Sequence, residues 1–148
     1  LIICESEDFA QSIQNINEDF DITISNHNIE HCEDPKGTFS AMVDKTKVGG
    51  SLFFATPSLG SVDFPSRGGG LNFYDDPTHI SVVDLYKLFE SESCRLECIY
   101  YIKSAKPFIW WFFGWVQEHI SKRKNYIRLG TWEYHGFEQI MWIKKVDS

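Results

Sequence analysis

The sequence predicts an α/β fold built on a parallel strand-helix-strand unit, and three observations predict it. Phe20-Asp21-Ile22-Thr23-Ile24-Ser25 reads as a short buried strand, alternating and β-branched. Pro35 then opens a helix at its first turn, where proline's missing N–H costs nothing, and Phe39, Met42 and Val43 form its apolar face. Gly49-Gly50 is expected to close that helix, and Ser51 to Thr56 follows as a continuous apolar strand stopped by Pro57. Strand, helix and strand within about 35 residues make a βαβ unit, because parallel neighbours need a crossover of a dozen residues or more.

The remaining elements attach to this unit in chain order. Leu1 to Cys4 reads as a strand ending in the acidic cluster Glu5-Ser6-Glu7-Asp8, and Phe9, Ile13 and Ile16 have helical spacing. Because the chain begins without Met and inside a strand, it is expected to be the C-terminal portion of a longer domain. Residues 58–79 have no period, and Gly60, Pro65, Gly68, Gly69, Gly70 and Pro77 break every attempted pattern. Loops of that length in compact domains usually carry function. Ser81 to Glu90 is expected as a helix with Val82, Leu85, Leu88 and Phe89 inward. Arg95 to Lys103 and His135 to Val146 are expected as strands. Residues 1–148 thus read as one domain with an aromatic-rich helical insertion at about 106–128, and no internal repeat or linker is visible.

Composition narrows the function classes. With 43% hydrophobic and 24% charged residues the chain is an ordinary globular sequence. A net charge of −7 argues against nucleic acid as a partner, since such binding rests on Lys and Arg neutralising phosphates. The one basic run, Lys122-Arg123-Lys124 with Arg128 beyond it, reads as a solvated helix end. The cysteines Cys4, Cys32, Cys94 and Cys98 contain no Cys-x-x-Cys pair. A reduced, cytoplasmic protein is therefore expected, with no signal peptide and no apolar run long enough to span a bilayer.

His27-Asn28-Ile29-Glu30-His31 matches the H-x-x-E-H pattern of some zinc peptidases. That chemistry needs both histidines on one helical face, and Pro35 leaves room here for barely one turn. No metal is therefore expected, and a zinc hydrolase is the remote alternative.

The same stretch carries a family resemblance. Phe20-Asp21, His27-x-Ile29-Glu30-His31, Asp34-Pro35, Lys47-Val48-Gly49-Gly50 and Thr56-Pro57 follow one another in order and spacing. So does the loop Asn72-Phe73-Tyr74-Asp75-Asp76-Pro77-Thr78-His79 ahead of a helix. From Phe20 to about Glu90 the chain resembles the class I S-adenosylmethionine-dependent methyltransferases. The resemblance implies a Rossmann-like methyltransferase sheet, here partial and lacking the first strands, with an antiparallel C-terminal strand. It implies S-adenosylmethionine as cofactor, with Asn26 and His27 lining its methionine side and Glu5, Ser6 and Glu7 near the adenine. The family's glycine-rich loop, which lets backbone approach the cofactor, and its ribose-binding acid are not in these residues.

Methyl transfer from a sulfonium needs in-line approach of a nucleophile, and a hydroxyl acceptor benefits from a base near neutral pKa. His79 and His31 are the expected catalytic residues. The bland alternatives are a hydrogen bond from His31 pinning the loop to the helix start, and helix capping by His79 beside Thr78. Tyr74, Asp75 and Asp76 are expected to contact a small-molecule or glycan-like acceptor, and Arg67 to recognise an anionic group on it. The rival reading is a degenerate, non-catalytic domain used for assembly. For the aromatic segment around Phe108 to Trp115, core packing is the default. A lid over the acceptor, a homodimer interface and a membrane-surface contact through 107–124 compete with it.

Overall fold

The computed structural model describes residues 9–147. Its sheet has four strands: β1 (Phe20–Asn26), β2 (Thr46–Pro57), β3 (Leu96–Ile102) and β4 (Glu138–Lys145). They lie in the order β1-β2-β4-β3. β1 and β2 run parallel, with Ile22 opposite Ser51 and Asn26 opposite Ala55. The last strand, β4, slots between β2 and β3 and is antiparallel to both. This is the expected α/β mixed sheet with an antiparallel C-terminal strand.

The crossover from β1 to β2 is α2 (Pro35–Asp44), with Pro35 in its first turn and Asp34 as N-cap, its carboxylate accepting from the Gly37 N–H at 2.9 Å. Phe39, Met42 and Val43 pack on the sheet, where Leu52 and Phe54 of β2 meet Met141 and Ile143 of β4. The Phe39 and Phe54 rings lie 4.8 Å apart. Ile29, Val83, Leu85 and Leu96 complete this core. Before it, α1 (Phe9–Gln14) packs on α2.

Several boundaries differ from the sequence expectation. Gly49-Gly50 does not cap α2, which ends at Asp44 with Lys45 still right-handed. The pair lies inside β2, where the register jumps from Phe20↔Thr46 to Ile22↔Ser51. Gly49 has φ +80° there, and a Cβ on Gly50 would stand 2.8 Å from the Lys47 carbonyl oxygen, so the bulge needs both glycines. β1 is an exposed edge among the described residues rather than a buried strand: Ile22 and Ile24 are more than 60% exposed and only Ser25 is buried.

The third helix starts late. Residues before it run extended along the Glu30 carbonyl, which accepts the N–H groups of Ile80 and Ser81 at 2.9 and 3.0 Å. α3 (Leu85–Ser91) begins after Asp84, whose carboxylate accepts from the Tyr86 and Lys87 N–H groups, and Val83 rather than Val82 is buried. The aromatic insertion forms α4 (Phe108–His119), not a helix to Arg128, and a short α5 (Thr131–His135) follows. His135 therefore belongs to α5, and left-handed Gly136 separates it from β4. The expected strand Leu1–Cys4 and the residues Glu5, Ser6 and Glu7 lie outside the described residues. Among those described, no helix is long and apolar enough to cross a membrane.

Candidate functional site

The parallel pair β1/β2 ends at Asn26 and Pro57, and the chain turns sharply at the next residue after β1. His27 adopts φ +48°, a left-handed conformation that costs energy for a residue with a Cβ. Its N–H still bonds the Ala55 carbonyl at 2.8 Å, so the strand end holds the turn. Adjacent residues on a strand point to opposite sides, and this end separates Asn26 from His27. Asn26 lines a largely apolar cavity of about 410 Å³ with Phe9, Ile13, Ile24 and Ser25. His27 lines a second cavity of about 320 Å³ with His31, His79, Asn72, Trp132 and Phe137. The two expected cofactor residues thus face different spaces.

The His27 ring is held on every side. Its Nδ1 lies 3.1 Å from Glu30 Oε1 and its Nε2 lies 2.7 Å from Glu138 Oε1, while Phe137 stacks on it and Trp132 lies tilted beside it. Burial alone would lower the imidazole pKa. The hydrogen bonds and charges of Glu138 and Glu30 outweigh that and raise it to about 9, so His27 is an imidazolium near neutral pH. Glu30 is fully buried in the 3-10 turn Ile29–His31, and its second oxygen accepts from the Thr56 hydroxyl at 2.9 Å. Burial pushes its pKa up, but the His27, backbone and Thr56 hydrogen bonds prevail and hold it below the ordinary value.

His31 and His79 come together across 48 residues of chain, with ring centroids 4.8 Å apart. His31 is bonded to the long loop, at Thr78. Its Nδ1 bonds the Thr78 carbonyl at 2.9 Å and sits 3.0 Å from the Thr78 hydroxyl. His79 caps no helix, since Asp84 does that for α3. Its Nδ1 bonds the Phe73 carbonyl at 2.7 Å, and its ring packs on Phe73. Carbonyl oxygens only accept, so both histidines carry a proton on Nδ1, and the neutral ring then presents Nε2 as the lone pair. Glu30, His31 and His79 each offer one ligand-type atom, all within 4.8 Å of one another. His27, the other histidine of the H-x-x-E-H pattern, is instead engaged by the two carboxylates.

The loop residues have unequal parts. Asp76 lines the cavity and accepts from the Thr78 N–H and hydroxyl at 2.8 and 2.6 Å. Asp75 points into its own loop, accepting from the N–H groups of Arg67, Leu71 and Asn72 and from the Ser66 hydroxyl. Tyr74 is 70% exposed and lines neither cavity. Arg67 is not open to an anionic ligand: Glu118 of α4 pairs with it through both carboxylate oxygens, and the Arg67 side chain is only 8% exposed. Sequence reasoning missed Glu138, Trp132 and Phe137, which come from the far end of the chain. Glu30 could have been found, because it stands inside the histidine motif.

No protein-family model and no curated protein matches the sequence. Solved structures do match. A complex of the Haloferax volcanii Trm112 methyltransferase activator with a methyltransferase aligns at TM-score 0.58 and 11% identity, over 92% of this chain and 59% of that one. An Archaeoglobus fulgidus SAM-dependent methyltransferase aligns at 0.52 and 17%, over 94% and 65%. The [4+2]-cyclase SpnF aligns at 0.51 and 13%, over 92% and 55%. The chain therefore spans 55 to 65% of the length of these three structures. One of the three is a cyclase, so the shared architecture does not carry a single chemistry. What the strand order, the crossover helix and these alignments establish together is that this chain has the class I S-adenosylmethionine-dependent methyltransferase fold.

Proposed function

We propose that the chain contributes the acceptor side of an S-adenosylmethionine-dependent methyltransferase acting on a small-molecule or glycan-like acceptor. The observation that carries this reading is the pair of cavities flanking the end of β1. Ligands of open α/β sheets sit at the carboxyl ends of parallel strands, where one residue can face the cofactor and the next the acceptor. On the Asn26 side, the Ser25 hydroxyl is buried without a hydrogen-bond partner, a polar atom suited to the amino acid end of the cofactor. On the His27 side, Trp132 and Phe137 give an apolar wall and the histidines give directed polar atoms.

S-adenosylmethionine supplies an electrophilic methyl on a sulfonium, whose carbon–sulfur bond breaks with its electrons as the acceptor attacks. The protein's share is alignment and exclusion of water. The imidazolium of His27, locked by Glu30 and Glu138, fixes the wall between the two cavities. His31 or His79 accepts, at a ring-nitrogen lone pair, the proton that an acceptor hydroxyl sheds. Asp76 holds Thr78, and through it His31, in place. A cytoplasmic location goes with this reading, as do the free thiols of Cys32, Cys94 and Cys98.

The test is calorimetric titration of S-adenosylmethionine into the full-length protein. Binding is expected, with Asn26→Ala weakening it by about tenfold, or about 1.4 kcal/mol. His79→Ala is expected to leave cofactor affinity intact and abolish methyl transfer. Absence of binding by the full-length protein would refute the reading. A second reading, a non-catalytic assembly domain, draws on one observation: α4 exposes Phe108, Ile109, Phe112 and Phe113. Sedimentation equilibrium would then show self-association that Phe112→Ser removes.

A further inference from the structure

We infer that Glu30, His31 and His79 form a binding site for one first-row divalent cation of the zinc class, open on the side that faces the His27 cavity. Two imidazoles and a carboxylate are the donor set such ions take, with the remaining position left for water or a ligand. The three donors lie within 4.8 Å of one another. Ligands sharing a tetrahedral zinc stand about 3.4 Å apart, so a side-chain adjustment of about 1 Å closes the site.

The strongest argument is how the two histidines are held. Metal-binding histidines characteristically give their second N–H to a carbonyl or carboxylate, which fixes the ring and leaves the other nitrogen as a lone pair. Both rings here do so independently, His31 to the Thr78 carbonyl and His79 to the Phe73 carbonyl. The nearest acid to His79 Nε2, Asp76 Oδ2, lies 3.8 Å away, beyond hydrogen-bond reach. The two rings lie 4.8 Å apart at an interplanar angle of 55°, close enough for one ion to be shared between them. Glu30 suits the third position. It is completely buried, its oxygens are oriented by His27 and Thr56, and each oxygen keeps a second lone pair. A carboxylate that is itself hydrogen-bonded is the outer-shell support such sites need.

This assignment of the pair concerns binding and does not depend on methyl transfer. If the proposed function holds, the ion would polarise an acceptor oxygen bound to it and lower its pKa, the proton passing to water rather than to an imidazole.

The experiment uses chelator-stripped protein titrated with zinc chloride, and with cobalt chloride as a visible probe. One equivalent of zinc is expected to bind, and cobalt is expected to give ligand-field absorption. His31→Gln and His79→Gln should each weaken zinc binding by at least tenfold. His119→Gln, on α4 away from the site, and Cys94→Ser, which removes an exposed thiol, should leave it unchanged. In the wild-type protein, zinc should also protect His31 from acylation by diethyl pyrocarbonate, a readout independent of whether any variant folds. Failure to bind one equivalent overturns the site, as does unchanged affinity in both histidine variants or loss of binding in Cys94→Ser. Zinc binding without S-adenosylmethionine binding would sink the methyltransferase reading and leave the metal site standing.

Discussion

The loop of residues 58–79 has no hydrophobic period and no element longer than the five-residue 3-10 turn Leu59–Asp63, yet it buries Ser61, Leu71 and Phe73. Helix α4 is apolar at nearly every position, yet of its twelve residues only Gly114 and Gln117 are buried, and Phe108 is 80% exposed. The loop is held by polar atoms. Asp75 gathers three backbone N–H groups, and the Asn72 amide donates to the Val62 and Phe64 carbonyls. The helix turns its polar residues inward: Glu118 meets Arg67, and the Gln117 amide donates to the Arg123 carbonyl. Gly114 allows it to approach α5 so closely that a Cβ there would collide with the Gly130 carbonyl and Tyr134. Order in a segment follows from satisfied polar groups and shape, and apolar composition alone does not decide burial.

The two regions are joined by Arg67–Glu118, and breaking that join should have the largest effect. Arg67→Met strips a nearly buried carboxylate of its guanidinium, leaving only His135 Nε2 at 3.6 Å, and is expected to cost about 3 kcal/mol in urea unfolding. The double variant Arg67→Met/Glu118→Leu should recover most of it; if it does not, the pair is holding more than its own charges.

Asp75→Asn comes next, at about 2 kcal/mol, because an amide oxygen accepts the same N–H groups more weakly than a carboxylate. Such a loss would show that polar bonds hold the loop. No loss would mean that Leu71 and Phe73 suffice.

Acid should act on the same groups. Burial pushes the Asp75 carboxyl up, but the hydrogen bonds from Arg67, Ser66, Asn72 and Leu71 hold it below its ordinary 3.8. The Arg67 guanidinium first of all holds Glu118 below its ordinary 4.5. Groups with depressed folded-state pKa stabilise fully above their ordinary values and lose that contribution as pH falls through the lowered ones. Urea midpoints measured downward from pH 6 should therefore drop below about pH 4.5, and less steeply in Asp75→Asn.

The smallest effect is expected at the exposed aromatic face. Phe112→Ser, at a site half open to solvent, should change stability by no more than about 0.5 kcal/mol. A loss above 1 kcal/mol would show that something covers the helix in solution.

Much of the frame was legible before any coordinates. Pro35 and the spacing of Phe39, Met42 and Val43 marked α2, and the apolar run after Gly50 marked β2, because local propensity and burial agree there. The histidine motif marked the right stretch. The zinc-peptidase pairing of His27 with His31 was set aside at that point because Pro35 leaves room for barely one turn, and a single 3-10 turn stands there. The last helix and strand were misjudged where Gly136 intervenes, and α4 where composition pointed inward.

The sequence by itself determined the α/β class, the parallel unit and the place where the chain leaves the sheet, since these follow from periodicity and from proline and glycine stereochemistry. Tertiary structure alone decided which groups meet there. Glu138 reaches His27 across 111 residues, and His79 reaches His31 across 48. No local pattern encodes such pairings, because they depend on where β4 and the loop are packed. A titratable side chain acquires its charge and partner from those neighbours.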